Sequence, residues 1–128
     1  MKFYIGSGLQ NCELVNSYAE KLEENGWRRT YDWTKQVGDS KTTDELTEIA
    51  EAEQKGVRDA DTVIILLPAG RGAHIELGLA LAQQKRVFLC AASKEAFCAE
   101  NIVSFYCLPG IVRLAGTVDE NIREIINF

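Results

Sequence analysis

Apolar positions along the chain fall into short blocks that switch between strand and helix periods. Lys2-Phe3-Tyr4-Ile5 predicts a first strand, closed by Gly6-Ser7-Gly8. From Asn11 to Asn25, Leu14, Val15, Tyr18 and Leu22 recur at helical spacing, and Gly26 is a natural stop. Trp27, Arg29, Tyr31 and Trp33 alternate, which predicts a second strand over 27–33. The polar stretch Thr34 to Thr43 has no period and reads as a mobile loop. A helix is expected from Thr43 to Arg58, with Leu46, Ile49, Ala50 and Val57 as its apolar stripe. Thr62 to Leu67 has the length and β-branched composition of a buried parallel strand, and Pro68 stops it. Gly70-Arg71-Gly72 predicts a flexible turn, with a helix starting two or three residues later and Glu76 near its first turn. Arg86 to Ala91 and Ile111 to Leu114 predict the fourth and fifth strands, separated by a short helix or loop over Ser93 to Ser104. Thr117 and Glu120 form a capping box for a last helix that turns Ile122, Ile125 and Ile126 to the core.

Strands and helices in this alternating order predict one α/β domain over residues 1–128. Its expected form is a five-stranded parallel sheet in a flavodoxin- or Rossmann-like three-layer sandwich. In such a sheet, ligands bind beyond the carboxyl ends of the strands, where the strand order reverses. That point brings together Tyr4, the Gly6-Ser7-Gly8 turn and the Pro68 to Glu76 segment.

Composition narrows the partners. The apolar and charged fractions, 46% and 26%, are those of an ordinary globular chain. No apolar run approaches the roughly 18 residues of a membrane span. A net charge of −5 with no basic block argues against a nucleic-acid polymer. Four cysteines without C-x-x-C spacing, and a single histidine, imply reduced thiols in a cytoplasmic protein and no metal site.

The candidate chemistry is carboxylate chemistry. Gly6-x-Gly8 lacks the third glycine of a dinucleotide fingerprint, since position 11 is Asn, and no Walker lysine follows any glycine turn. No His stands beside a Ser or Cys, and His74 reads as a structural or rim residue. Glu76 is a lone acid among Ile75, Leu77, Gly78 and Leu79. Near a helix N-terminus it is expected to be ionised by the helix dipole. Glu53 completes the apolar stripe of its helix, so helix geometry directs a second carboxylate toward the sheet. A pair of carboxyl groups around an anomeric carbon suits retaining glycosyl transfer; a helix-capping role for Glu76 is the alternative.

The stretch ADTVIILLPAGRGAHIELGLALA, and nearly the whole chain around it, resembles the nucleoside 2-deoxyribosyltransferase superfamily, which includes nucleoside 5′-monophosphate N-glycosidases. The resemblance implies that Glu76, in the E-L-G motif, is the nucleophile that attacks the sugar C1′. It implies that Glu53, eight residues before Asp61, orients the nucleophile or the sugar, where relatives usually carry Asp. Tyr4 matches the aromatic hydroxyl of the first strand. The base-exchanging transferases carry acids in the loop before the nucleophile, whereas here that loop is Ala69-Gly70-Arg71-Gly72-Ala73-His74. Arg71 between two glycines suits a 5′-phosphate instead. The implied substrate-binding residues are therefore Gly6, Ser7, Gly70, Arg71 and Gly72, with no cofactor.

The leading expectation is an N-glycosidase or deoxyribosyltransferase-like enzyme acting on a nucleoside or nucleotide, with the hydrolase form preferred. Alternatives are a non-catalytic nucleotide-binding module and a flavodoxin-like interaction domain. By the same resemblance, a homodimer or higher oligomer is expected, and the aromatic-rich stretch Ile102 to Tyr106 is a candidate interface.

Overall fold

The computed structural model describes residues 1–100 and 102–128. Among them, β1 (Lys2–Ser7), β2 (Arg28–Arg29), β3 (Thr62–Leu66), β4 (Arg86–Ala91) and β5 (Ile111–Ala115) form one all-parallel sheet in the order β2-β1-β3-β4-β5. This is the flavodoxin order, with its reversal between β1 and β3. Register along that pair sets Tyr4 against Val63 and Ser7 against Leu66. Val63, Ile64, Ile65 and Leu66 are wholly buried, as a central strand covered on both faces requires. Each such aliphatic side chain contributes roughly 1.5–3 kcal/mol by leaving water.

Helices α1 (Cys12–Glu24) and α4 (Val118–Asn127) pack together, as do α2 (Thr43–Asp59) and α3 (Arg71–Ala82). Thr42 and Thr117 each close a full capping box, with Glu45 and Glu120 returning the bond to the cap backbone. Gly26 takes φ +83° just past α1, the left-handed stop expected of it.

Three expectations need correction. The second strand is not 27–33 but only Arg28–Arg29. Beyond it, Thr30 still donates its N–H to Phe3 O at 3.0 Å, but the chain then turns. Asp32 ion-pairs with Arg29 at 3.0 Å and caps a 3-10 turn over Trp33–Gln36. Trp33 is buried and its indole N–H donates to Ile5 O at 2.7 Å. A side chain thus satisfies the edge carbonyl that further strand pairing would have used. The segment expected to be a mobile loop begins with this same 3-10 turn.

The third difference lies in α2. Only Gly56 and Val57 of this helix are buried, and Leu46 is 53% exposed. The amphipathic stripe is therefore buried only toward the carboxyl end of the helix. The β4–β5 connection is short helix and loop, as expected, with 3-10 turns at Lys94–Phe97 and Ser104–Cys107; Asn101 of that connection lies outside the described residues. No helix among the described residues is long and apolar enough to cross a membrane.

Asn121 of α4 joins the two ends of the chain. Its side-chain amide donates to Tyr18 Oη at 2.9 Å and lies 3.3 Å from Gly116 O and 3.4 Å from Ala91 O, at 2% exposure. Asn121→Ala would strand these buried acceptors, so it should destabilise the fold by about 2–3 kcal/mol. A urea midpoint equal to that of the parent protein would show that the network is dispensable.

Candidate active site

Tyr4 sits in the middle of β1 with its ring wholly buried and its hydroxyl directed at two acids. The hydroxyl donates to Glu76 Oε2 at 2.5 Å and lies 3.5 Å from Glu53 Oε2. Three elements, β1, α2 and α3, thus converge on one hydroxyl. Glycines create the space for this. A Cβ on Gly6 would stand 2.5 Å from Glu76 Oε1, so only glycine leaves room for the carboxyl over β1. A Cβ on Gly56 would come within 2.9 Å of the Tyr4 ring and of Tyr31 Cβ. That residue costs α2 about 1 kcal/mol of helix propensity, and its bare α-carbon lets the helix lie against Tyr4 close enough for Glu53 to reach it.

Glu76 is 6% exposed and sits in the second turn of α3, because the helix begins at Arg71 rather than after Gly72. The expectation of an acid ionised by free helix N–H groups is therefore corrected. Burial pushes the Glu76 carboxyl well above the usual carboxylate range; the Tyr4 hydroxyl opposes this, while the neighbouring Glu53 adds to it. Burial and both acids likewise drive the Tyr4 phenol upward, so it stays a proton donor. Glu76 therefore holds its proton to higher pH than an exposed carboxyl does.

A cleft of about 500 Å³ opens over this group. Gly8, Gln10, Trp33, Gly70 and Arg71 line its walls, and Glu53 and Glu76 form part of its lining. A second opening of about 440 Å³, between α2 and α3, shares Glu53, Gly72 and Glu76 with it. The two glycine turns touch: a Cβ on Gly70 would lie 3.6 Å from Gly8 Cα, and Gly8 donates its N–H to Pro68 O at 3.2 Å. Gly70 is the N-cap of α3 and supplies no side-chain cap, so the first N–H groups of the helix face the cleft mouth uncapped. Arg71, the first helical residue, is exposed there.

Of the residues singled out in the sequence, Tyr4, Glu53 and Glu76 come together, and Gly70, Arg71 and Gly72 stand at the rim above them. Gly6 instead makes space beneath Glu76. Ser7 lines the cleft, yet its hydroxyl is engaged: it donates to Leu66 O at 2.8 Å and accepts from Asn11 Nδ2 at 2.9 Å. Trp33 and Gln10 escaped notice as site residues. The alternation around Trp33 pointed to a strand, and only the capping acid Asp32 hinted at a turn. No group of three or more His, Cys, Asp or Glu among the described residues is placed to hold a metal ion.

A doubly wound α/β fold with a buried acid and a second acid beside it at its strand-order reversal has the flavodoxin topology, in which ligands bind at that point. The model of the nucleoside 2-deoxyribosyltransferase family matches residues 3–125, and the chain belongs to that family. Among solved structures it is similar to the CMP N-glycosidase BcmB of Clostridium botulinum, with a TM-score of 0.62 and 18% identity over 100% of each chain. At that identity the likeness concerns the fold. No curated protein matches the chain.

The raised Glu76 carboxyl has a consequence for stability. An acid whose folded pKa lies above its unfolded value binds more protons when folded, so stability falls as pH rises above the ordinary carboxylate range. Glu76→Gln keeps an oxygen for Tyr4 and removes the charge. Its melting temperature should vary less between about pH 5 and about pH 8, and at the upper end exceed the parent's by about 4 °C or more. Coincident pH profiles for the two proteins would refute the upward shift at Glu76.

Proposed function

We propose that this protein cleaves the N-glycosidic bond of a nucleoside 5′-monophosphate by a retaining mechanism, with Glu76 as nucleophile and water as acceptor. The observation that carries the reading is the buried Glu76 carboxyl, fixed by the Tyr4 hydroxyl at 2.5 Å with Glu53 beside it at the floor of a cleft. Membership of a family of enzymes that transfer or cleave nucleosides supports it. The activity in the name of the similar structure, a CMP N-glycosidase, supports a monophosphate.

The proton on Glu76 gives the reaction its order. Attack on C1′ needs the carboxylate, and the departing base needs a proton. Glu53 relays the Glu76 proton to the base as the C1′–N bond breaks and the Glu76–C1′ ester forms. Water then adds its hydroxyl to C1′, and its remaining proton returns to the carboxyl pair. Sugar phosphate and neutral base leave, and the site regains its starting state. The burial that makes Glu76 a poor anion in the free protein thus stores the proton that the base requires. Arg71 and the uncapped N–H groups at the start of α3 suit the phosphate end, through charge and fixed dipoles.

Glu76→Ala should abolish base release from a panel of nucleosides and their monophosphates while the protein stays folded. In the parent protein, monophosphates should turn over with kcat/KM at least about tenfold above the matching nucleosides, the scale of one charge-assisted contact. Retained turnover in the variant would remove Glu76 from the nucleophile role, and equal turnover of both substrate classes would remove the phosphate.

We also infer a homodimer. Ile75, 66% exposed, lines the opening between α2 and α3, and Leu46 on α2 is 53% exposed; a second copy covering both would close that opening. Sedimentation should give a dimer that Ile75→Glu converts to monomer; a monomeric parent protein at all concentrations would overturn this.

A further inference from the structure

The single histidine of the chain, His74, is absent from the chemistry above, yet its ring makes two hydrogen bonds behind the Gly70 turn, in an opening that it lines with Pro68, Ala69 and Tyr106. Nδ1 lies 2.8 Å from Gly70 O, and Nε2 lies 2.7 Å from the Tyr106 hydroxyl. A carbonyl can only accept, so Nδ1 carries a proton; in the neutral imidazole Nε2 then accepts from the Tyr106 hydroxyl. The two rings also stack, at 5.9 Å between centroids and 6° between planes. Tyr106 is 4% exposed and is itself anchored, since its carbonyl accepts from Arg113 Nη1 of β5 at 2.8 Å.

The Gly70 turn is therefore gripped from two sides. On the β1 side, Pro68 O accepts from Gly8 N–H at 3.2 Å and from Asn11 Nδ2 at 3.3 Å. On the β5 side, Gly70 O accepts both the backbone N–H of residue 74, at 3.1 Å, and the imidazole Nδ1. An ordinary N-cap side chain would hold such a turn by bonding to the first helix N–H groups. Gly70 cannot do this, and the same N–H groups stay open toward the cleft. His74 holds the turn by its carbonyl, from the pole opposite to those N–H groups.

We propose that His74 and Tyr106 are a positioning pair that fixes the Gly70–Gly72 turn for an anionic substrate group, doing the work of a helix cap without occupying the N–H groups a cap would consume. The ligand class rests on the monophosphate reading above; the holding of the turn does not.

Two measurements separate these. Amide exchange in the free protein reads the turn alone. His74→Leu should speed exchange at residue 74, Ile75 and Gly8 by about tenfold, the scale of one lost hydrogen bond, while Ile64 and Leu89 keep their rates. Tyr106→Phe should act in the same direction. His74→Asn, whose amide nitrogen can replace Nδ1, should restore slow exchange. Titration with inorganic phosphate and steady-state kinetics then read the ligand. His74→Leu should weaken phosphate binding and raise KM for a monophosphate about tenfold, with kcat and the KM for the matching nucleoside near parent values. Parent-like exchange in both His74→Leu and Tyr106→Phe would overturn the proposal. So would faster exchange with unchanged phosphate affinity, if the parent protein binds phosphate at this turn. A parent protein indifferent to phosphate would defeat the monophosphate reading, and the exchange data would still decide the role of the pair.

Discussion

A phenol and a carboxyl group facing each other inside an apolar sheet govern most of what surrounds them. Tyr4 and Glu76 are both largely withdrawn from water, and each would be costly there alone. Their hydrogen bond makes the arrangement tolerable, and it constrains the neighbours on every side. Position 6 cannot bear a side chain because the carboxyl fills that space. Position 56 cannot bear one because α2 must lie against the phenol ring. Gly6 and Gly56 come from distant parts of the chain and face one interaction.

Much of the frame was readable from local rules. Strands β1, β3, β4 and β5 fall where β-branched runs end in Gly, Pro or polar turns, and both capping boxes sit where Thr precedes Glu by three residues. Helix period alone aimed Glu53 inward, and Glu53 does reach Tyr4. The failures share a cause. Alternation around Trp33 satisfied a strand template, but an edge strand has a partner on one side only, and the Trp33 indole competes for the Ile5 carbonyl. The stripe on α2 was read correctly as apolar, but periodicity cannot say how much of a stripe the fold covers, so the exposure of Leu46 was invisible.

The site was legible in its membership and illegible in its charge state. An isolated Glu in an aliphatic run invites attention, whereas its protonation depends on burial and on partners 72 and 23 positions away (76 − 4 and 76 − 53). The roles of Gly6 and His74 depend likewise on spatial neighbours. A glycine in a G-x-G turn looks like backbone for a ligand to approach, but Gly6 faces inward, toward Glu76.

The shallow seating of α2 makes the two acids mechanically unequal. Buried residues of α3 run from Ala73 to Ala80, so Glu76 is carried by a helix fastened along its length. In α2 only Gly56 and Val57 are buried. The helix is a cantilever clamped at its carboxyl end, where Gly56 meets Tyr4 and its carbonyl accepts from Thr30 Oγ1 at 2.7 Å. Deflection of such a beam grows with distance from the clamp. Glu53 stands one turn from that clamp, and Leu46 stands nearly three turns from it. Glu76 thus rides on the firmly seated helix, and Glu53 on the one seated only near its end.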